Sequence, residues 1–125
     1  MTKIKLGIVG SRYYKNYDVI KNHIDNWLKE NNLLISDIEY VISGGAEGVD
    51  SLAKKYAIEN KLSSIEHLPD WTKYGKRAGP LRNQLIVDGS THILAFPCQK
   101  SIGTYDTIKK AEQKKIYIKV IKVSS

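Results

Sequence analysis

Cysteine occurs once in this sequence, at Cys98, so the chain can form no internal disulfide and fits a reducing compartment. No apolar run approaches the roughly 18 residues of a membrane span. The first ten residues, MTKIKLGIVG, start basic, but Gly7 and Gly10 interrupt the apolar run and no small-residue cleavage site follows, so no signal peptide is read there. A cytoplasmic location and no membrane partner are expected. Glycine, serine and proline gather in no linker, and no internal repeat occurs. With 125 residues and 42% hydrophobic content, residues 1–125 are read as one domain.

Histidine is scarce too. Three isolated histidines and one cysteine make no recognisable metal site, so no metal is expected. Cys98 also lacks a base for nucleophilic work. His92 begins the strand that precedes it and lies some 15–20 Å away at about 3.3 Å per residue. Two well-known phosphate signatures are missing: GIVG is not G-x-G-x-x-G, and G-x-x-x-x-G-K-[ST] does not occur. A dinucleotide dehydrogenase and a Walker-type ATPase lose their support, and no cofactor is expected. Negative charge is short as well, with 13 acidic against 20 basic residues and a net charge of +7. Such a balance attracts nucleic acid, nucleotides and acidic membranes alike, so charge by itself selects no partner.

What is present is a regular alternation. Apolar runs of strand length occur at 4–9, 38–43, 63–68, 91–96 and 116–123, and helical periodicity occupies 17–30, 48–60, 79–88 and 103–113. The first helix places Ile20, Ile24, Trp27 and Leu28 on one face behind an Asn16 N-cap; the third carries Leu81, Leu85 and Ile86. Alternating strands and helices predict an α/β, Rossmann-like doubly wound parallel sheet of about five strands, with helices on both faces. The lysine-bearing last strand, IYIKVIKV, is placed at an edge.

In such a sheet, ligands bind beyond the carboxyl ends of the strands. Three unusual loops fall there: GSRYY (10–14), SGGAEGVD (43–50) and PCQKSIGTYD (97–106). The last two run into helix starts, whose unpaired N–H groups and positive dipole end favour an anion, most simply a phosphate. A fourth segment, LPDWTKYGKRAGPLRNQ (68–84), is long for a strand-to-helix connection. It offers Trp71 and Tyr74 for stacking, Arg77 and Arg82 as phosphate forks, and Asn83 as an amide that can orient a neighbour. The competing reading has Trp71 capping the core and Arg82 paired with a helix carboxylate.

GIVGSR, VISGGAEGVDSLAKKYA, DWTKYGKRAGPLRNQ and SIGTYDTIKKA, in this order, resemble the SLOG superfamily of Rossmann-like proteins, most closely its small YspA/cpYpsA-related branch. That superfamily is named after DNA-processing proteins of the DprA type and the lonely-guy phosphoribohydrolases, and its members bind nucleotides, nucleotide-derived ligands or single-stranded DNA. The resemblance implies a ligand cradle of Ser43, Gly44, Gly45, Ala46, Glu47 and Gly48, with Asp50 fixing the helix start. It also implies a phosphate loop of Ser101, Gly103 and Thr104 following Pro97, and a functional arginine at Arg82. Gly10, Ser11, Arg12 and Asn83 complete the expected binding set.

The lonely-guy enzymes carry P-G-G-x-G-T-x-x-E, and this sequence has Thr107 where their glutamate stands. Asp106, one residue earlier, is rotated by about 100° on a helix. Glu47 is the other carboxylate for N-glycosidic cleavage, or else an acidic first-turn residue that suits the helix dipole. The expected partner is a nucleotide or nucleotide-derived small molecule, with or without cleavage. Single-stranded nucleic acid is the alternative, as is a ligand-sensing adaptor without catalysis. A homodimer is expected from the family.

Overall fold

The computed structural model describes residues 3–124; the terminal positions of the 1–125 unit lie outside them. Five strands form one sheet: β1 (Ile4–Gly10), β2 (Ile38–Ser43), β3 (Ser63–Glu66), β4 (His92–Phe96) and β5 (Tyr117–Val120). Their order is β3-β2-β1-β4-β5, and every pair is parallel. This is the Rossmann-like arrangement that the alternating pattern predicts, with β5 at an edge. The connecting helices are α1 (Tyr17–Glu30), α2 (Val49–Glu59), α3 (Trp71–Tyr74), α4 (Ala78–Asp88) and α5 (Ile102–Lys114).

The two faces of the sheet carry separate apolar layers because side chains alternate along each strand. Ile4, Leu6 and Ile8 of β1 pack with Ile20, Ile24, Trp27 and Leu28 of α1 and with Val49, Ala53 and Tyr56 of α2. Val9 of the same strand joins Ile86 and Val87 of α4 and Ile108 and Ala111 of α5. The helix starting at Tyr17 is capped as its sequence predicts, the Asn16 side chain accepting from the Val19 N–H.

Two expectations need correction. The inward face of α4 is Ala78, Asn83, Ile86 and Val87, whereas Leu81 and Leu85 are 37% and 52% exposed. A polar residue, Asn83, takes a core-facing place because its amide is fully hydrogen-bonded there, and this rotates the two leucines outward. The third strand stops at Glu66, and the segment that follows is not a plain loop. It forms α3, whose start is capped by the Asp70 carboxylate accepting from the Lys73 N–H, and then a 3-10 turn, Gly75–Arg77.

The strand order moves from β1 through β2 to β3 on one side and resumes at β4 on the other side of β1. The order in which strands are added therefore reverses between the parallel strands β1 and β4, where Gly10 and Phe96 are register partners at the carboxyl ends. A crevice at that point is the ligand position general to open α/β sheets.

Candidate functional site

At that switch point lies a cleft of about 280 Å³. It is walled by the end of β1 and the loop after it, the loop before α2, one turn of α4, and the start of α5. Each wall has a local cause.

The loop before α5 leaves a helix start open. Ser101 occupies the N-cap position, yet its Oγ accepts from the Cys98 N–H (3.0 Å) and makes no bond to the helix. Ile102 N–H is taken by the Lys100 carbonyl (3.0 Å). The N–H groups of Gly103 and Thr104 have no partner among the described residues. Unpaired first-turn N–H groups at a helix dipole's positive end form an anion site.

The loop before α2 is built differently. Gly48 has φ +72°, and a Cβ there would collide with the Ser11 carbonyl oxygen and the Arg12 backbone. Only glycine lets the two loops touch, and Val49 N–H then donates to the Ser11 carbonyl (2.9 Å). The Asp50 carboxylate folds back to accept from the N–H groups of Ala46 (3.2 Å) and Gly44. Asp50 is only 6% exposed. Burial pushes its pKa up to about 6, against the opposing pull of those N–H bonds and of the Arg82 charge.

Arg82 and Asn83 tie the two loops together. Arg82 Nη1 donates to the Gly44 carbonyl (2.8 Å), and its Nε donates to Asn83 Oδ1 (2.9 Å). Asn83 Nδ2 donates onward to the Gly103 carbonyl (3.2 Å) and to Asp106 Oδ2 (3.0 Å). Burial lowers the Arg82 pKa, but a guanidinium stays charged at neutral pH.

Of the expected binding residues, Gly10, Arg12, Ala46, Asp50, Arg82, Asn83, Ser101, Gly103 and Thr104 line this one cleft. Ser11, Ser43, Gly44, Gly45, Gly48 and Pro97 do not. Their contacts are within the fold: Ser11 Oγ accepts from the Tyr13 N–H, the Ser43 carbonyl from the His67 N–H, and Pro97 is buried with its carbonyl accepting from Val123. Gly44 is crowded by Arg82 and Gly45 by Leu68, so the space their missing side chains leave is filled by the chain itself.

Neither expected catalytic carboxylate lines the cleft. Glu47 is exposed on the loop. Both oxygens of Asp106 take Lys110 Nζ at 2.8 Å. Partial burial would raise the Asp106 carboxyl, but the bonds from Asn83 and Lys110 hold it below its usual range. The Cys98 sulfur lies 3.3 Å from Ser101 Oγ, and hydrogen bonds from Ser101 and Ser11 lower its pKa. His92 packs against Trp27 and Tyr117 instead.

Tyr13, Lys100 and Thr107 were absent from the expected set and line the cleft. Tyr13 and Lys100 sit inside two of the loops already singled out, so their place in those loops was the available signal. Thr107, at the position of the lonely-guy glutamate, is buried and donates its hydroxyl to the Gly103 carbonyl (3.2 Å).

A family model described as YspA, cpYpsA-related SLOG family matches residues 5–74, more than half of the chain. The chain belongs to this SLOG family. The SLOG chain is also 30% identical over 112 residues to the gene 61 protein of Mycobacterium phage D29, covering 85% of its own length and 86% of the phage protein. Among solved structures it superposes on DNA processing protein A (DprA) of Streptococcus pneumoniae with a TM-score of 0.71 at 20% identity. That match covers 98% of the SLOG chain and 51% of the DprA chain, so the SLOG chain spans about half of its length. DprA of Helicobacter pylori, whose structure describes a single-stranded DNA binding mode, matches at a TM-score of 0.59 and 20% identity, over 95% of the SLOG chain and 65% of DprA. The protein TM1055 matches at 0.61 and 16% identity, over 92% and 72%. These structural likenesses establish the shared fold.

Proposed function

We propose that the SLOG chain binds a nucleotide or nucleotide-derived phosphorylated ligand in the cleft at the ends of β1, β2 and β4. One observation carries this reading. Three cations, Arg12, Arg82 and Lys100, share a single cleft with the two unpaired N–H groups that open α5, against one buried carboxylate. A phosphate satisfies the N–H groups and the cations together. The proposal is of binding, because Glu47 and Asp106 lie off the cleft and Asp106 is already neutralised by Lys110.

Calorimetric titration with AMP tests it. Arg12 and Lys100 are exposed, so Arg12→Ala and Lys100→Ala should each weaken binding by roughly tenfold while the melting temperature holds. Unchanged affinity in both would remove the site assignment. Arg82→Ala is a poorer test, since it also strips the Gly44 carbonyl of its donor.

A second reading, single-stranded nucleic acid, is favoured by one feature outside the cleft. Trp71 is 58% exposed, and Lys73, Tyr74, Lys76 and Arg77 beside it are also exposed. Aromatic faces interleaved with cations match the stacking and backbone neutralisation that strand binding uses. The salt slope separates the two: an oligonucleotide neutralised by several of these cations loses affinity by decades between 50 and 200 mM salt, whereas a mononucleotide shows a shallow slope.

A further inference from the structure

Exposed apolar side chains are unevenly spread over the molecule. Six of the thirteen large hydrophobic residues exposed among the described residues fall between 65 and 85, and none of the six lines the anion cleft. The cause lies in the connection from β3 to β4. Its long helix, α4, packs Ile86 and Val87 with Val9, Ile42 and Ile93 of the central strands, so β3 is left without cover and all four of its residues are exposed. Ile65 is the register partner of Ile42, which places it on the α4 face of the sheet, and it is 39% exposed there. Leu81 and Leu85, four residues apart, stand on the outer side of α4. Trp71 and Tyr74 occupy one side of α3, and the Trp71 ring leans on the first turn of α4, where its Cη2 would lie 3.4 Å from a Cβ on Gly79. An exposed apolar cluster of this kind marks an interaction surface.

The charges on this flank are free in one sign only. Asp70 is engaged with the Lys73 N–H at the start of α3, Glu66 pairs with Lys54, and Asp88 pairs with Lys114. Lys73, Lys76 and Arg77 are exposed and make no ion pair among the described residues. A second copy docked face to face would bring the same three cations to meet them, and Coulomb repulsion opposes it. A nucleic acid strand would satisfy the cations and stack on Trp71 and Tyr74, but the aliphatic groups of Ile65, Leu81 and Leu85 offer a base no ring to stack on. Both halves of the surface are satisfied by a protein segment with apolar side chains on one side and carboxylates beside them. An amphipathic helix has that arrangement.

We infer that the flank formed by β3, α3 and the outer side of α4 is a docking surface for an acidic amphipathic helix of a partner protein. Leu81 and Leu85 form its apolar centre, and Lys73, Lys76 and Arg77 its cationic border. The inner side of the same helix carries Asn83 into the cleft, so α4 faces the anion site on one side and the partner on the other.

Tryptophan emission of the intact chain provides the test. There are two tryptophans and Trp27 is 1% exposed, so a change on binding reports Trp71. The probe is a synthetic peptide of roughly five helical turns, with leucines at i, i+3, i+4 and i+7 along one face and glutamates elsewhere. A scrambled peptide of the same composition and an oligothymidylate are run beside it. The helical peptide should shift the emission to the blue and saturate with a Kd of about 10 μM or tighter. The scrambled peptide should bind at least about tenfold more weakly, and Leu81→Ala and Leu85→Glu should each weaken the helical one by roughly tenfold. Lys76→Glu combined with Arg77→Glu should weaken it by roughly fivefold at low salt and by less at high salt. All four side chains are exposed, so the variants should melt as wild type does. No saturable binding of the helical peptide overturns the inference, and so does equal binding of the scrambled one. A blue shift produced by oligothymidylate and abolished in Leu85→Glu overturns the protein partner and assigns the flank to nucleic acid. A wild-type dimer in sedimentation that Leu85→Glu converts to a monomer overturns it in favour of a second copy. None of these outcomes touches the anion site, whose own test is AMP binding.

Discussion

The starts of α2 and α5 look alike in sequence, each a glycine-bearing loop entering a helix at the carboxyl end of a strand, and the fold uses them in opposite ways. At α2 the vacant space is filled by the protein: Ser11 supplies a carbonyl to Val49, Asp50 supplies a carboxylate to the loop N–H groups, and Arg82 lies against Gly44. At α5 the N-cap serine turns away to Cys98, and the N–H groups of Gly103 and Thr104 stay open. Glycine therefore marks a close approach of the chain's own groups at α2, whereas at α5 a Cβ on Gly103 would meet nothing within 4 Å. The closed loop braces the cleft, and the open one presents the unpaired N–H groups on which the proposed anion site rests.

The comparison breaks first at Gly48. Alanine there combines a backbone conformation used almost only by glycine (φ +72°, ψ −131°), costing about 1–3 kcal/mol, with a collision against the rigid backbone of Ser11 and Arg12. Overpacking against backbone adds a further 1–3 kcal/mol. Gly48→Ala should lower the melting temperature by roughly 10 °C or more in thermal denaturation. A variant melting like wild type would mean that the α2 loop is as open as the α5 loop.

Asp50 sharpens the same contrast through pH. Its folded pKa, about 6, lies above the 3.8 of an ordinary aspartate, so the native state holds the proton more tightly than the unfolded chain. That contribution to stability is fully present below about pH 3.8 and is lost as pH rises through about 6. The stability of wild type relative to Asp50→Asn should therefore fall between pH 4 and 7, by at most about 3 kcal/mol, and level off above. Denaturant titrations of both proteins at matched pH measure the difference. A flat difference across that window would place the carboxylate in water and remove its role as internal filler.

Why sequence alone could not separate the two loops is plain from where their partners lie. Strands and helices were readable because their apolar periods of 2 and 3.6 are local, as the Ile20, Ile24, Trp27, Leu28 face of α1 shows. Asp50, four residues from Ala46, is a local partner and was expected to fix the helix start, but Ser11, Arg12 and Arg82 each lie more than 30 residues from the glycine they meet, and no local pattern carries such a contact. Arg82 and Asn83 were legible as polar residues beside a glycine in a long segment. Their inward direction was not, because Leu81 and Leu85 imitate a core stripe that in fact faces solvent. The four-residue helix α3 is shorter than any window in which a helical period registers.

The smallest expected effect on stability is the most informative about the open loop. A Cβ on Gly103 meets nothing within 4 Å, and its φ lies outside the positive range. Gly103→Ala should leave the melting temperature unchanged or raise it slightly, since alanine is favoured over glycine within a helix by up to about 1 kcal/mol. If the Gly103 N–H faces a bound phosphate, the added methyl crowds the anion, and affinity for ribose 5-phosphate should drop by roughly tenfold in the same preparation. Stability kept while binding is lost is the signature of a glycine reserved for a ligand, the reverse of Gly48, whose loss is felt by the fold. Should Gly103→Ala bind as wild type does, the open N–H groups would have to be approached from the side away from Cα, and the phosphate would sit nearer Thr104 and Arg82 than the glycine.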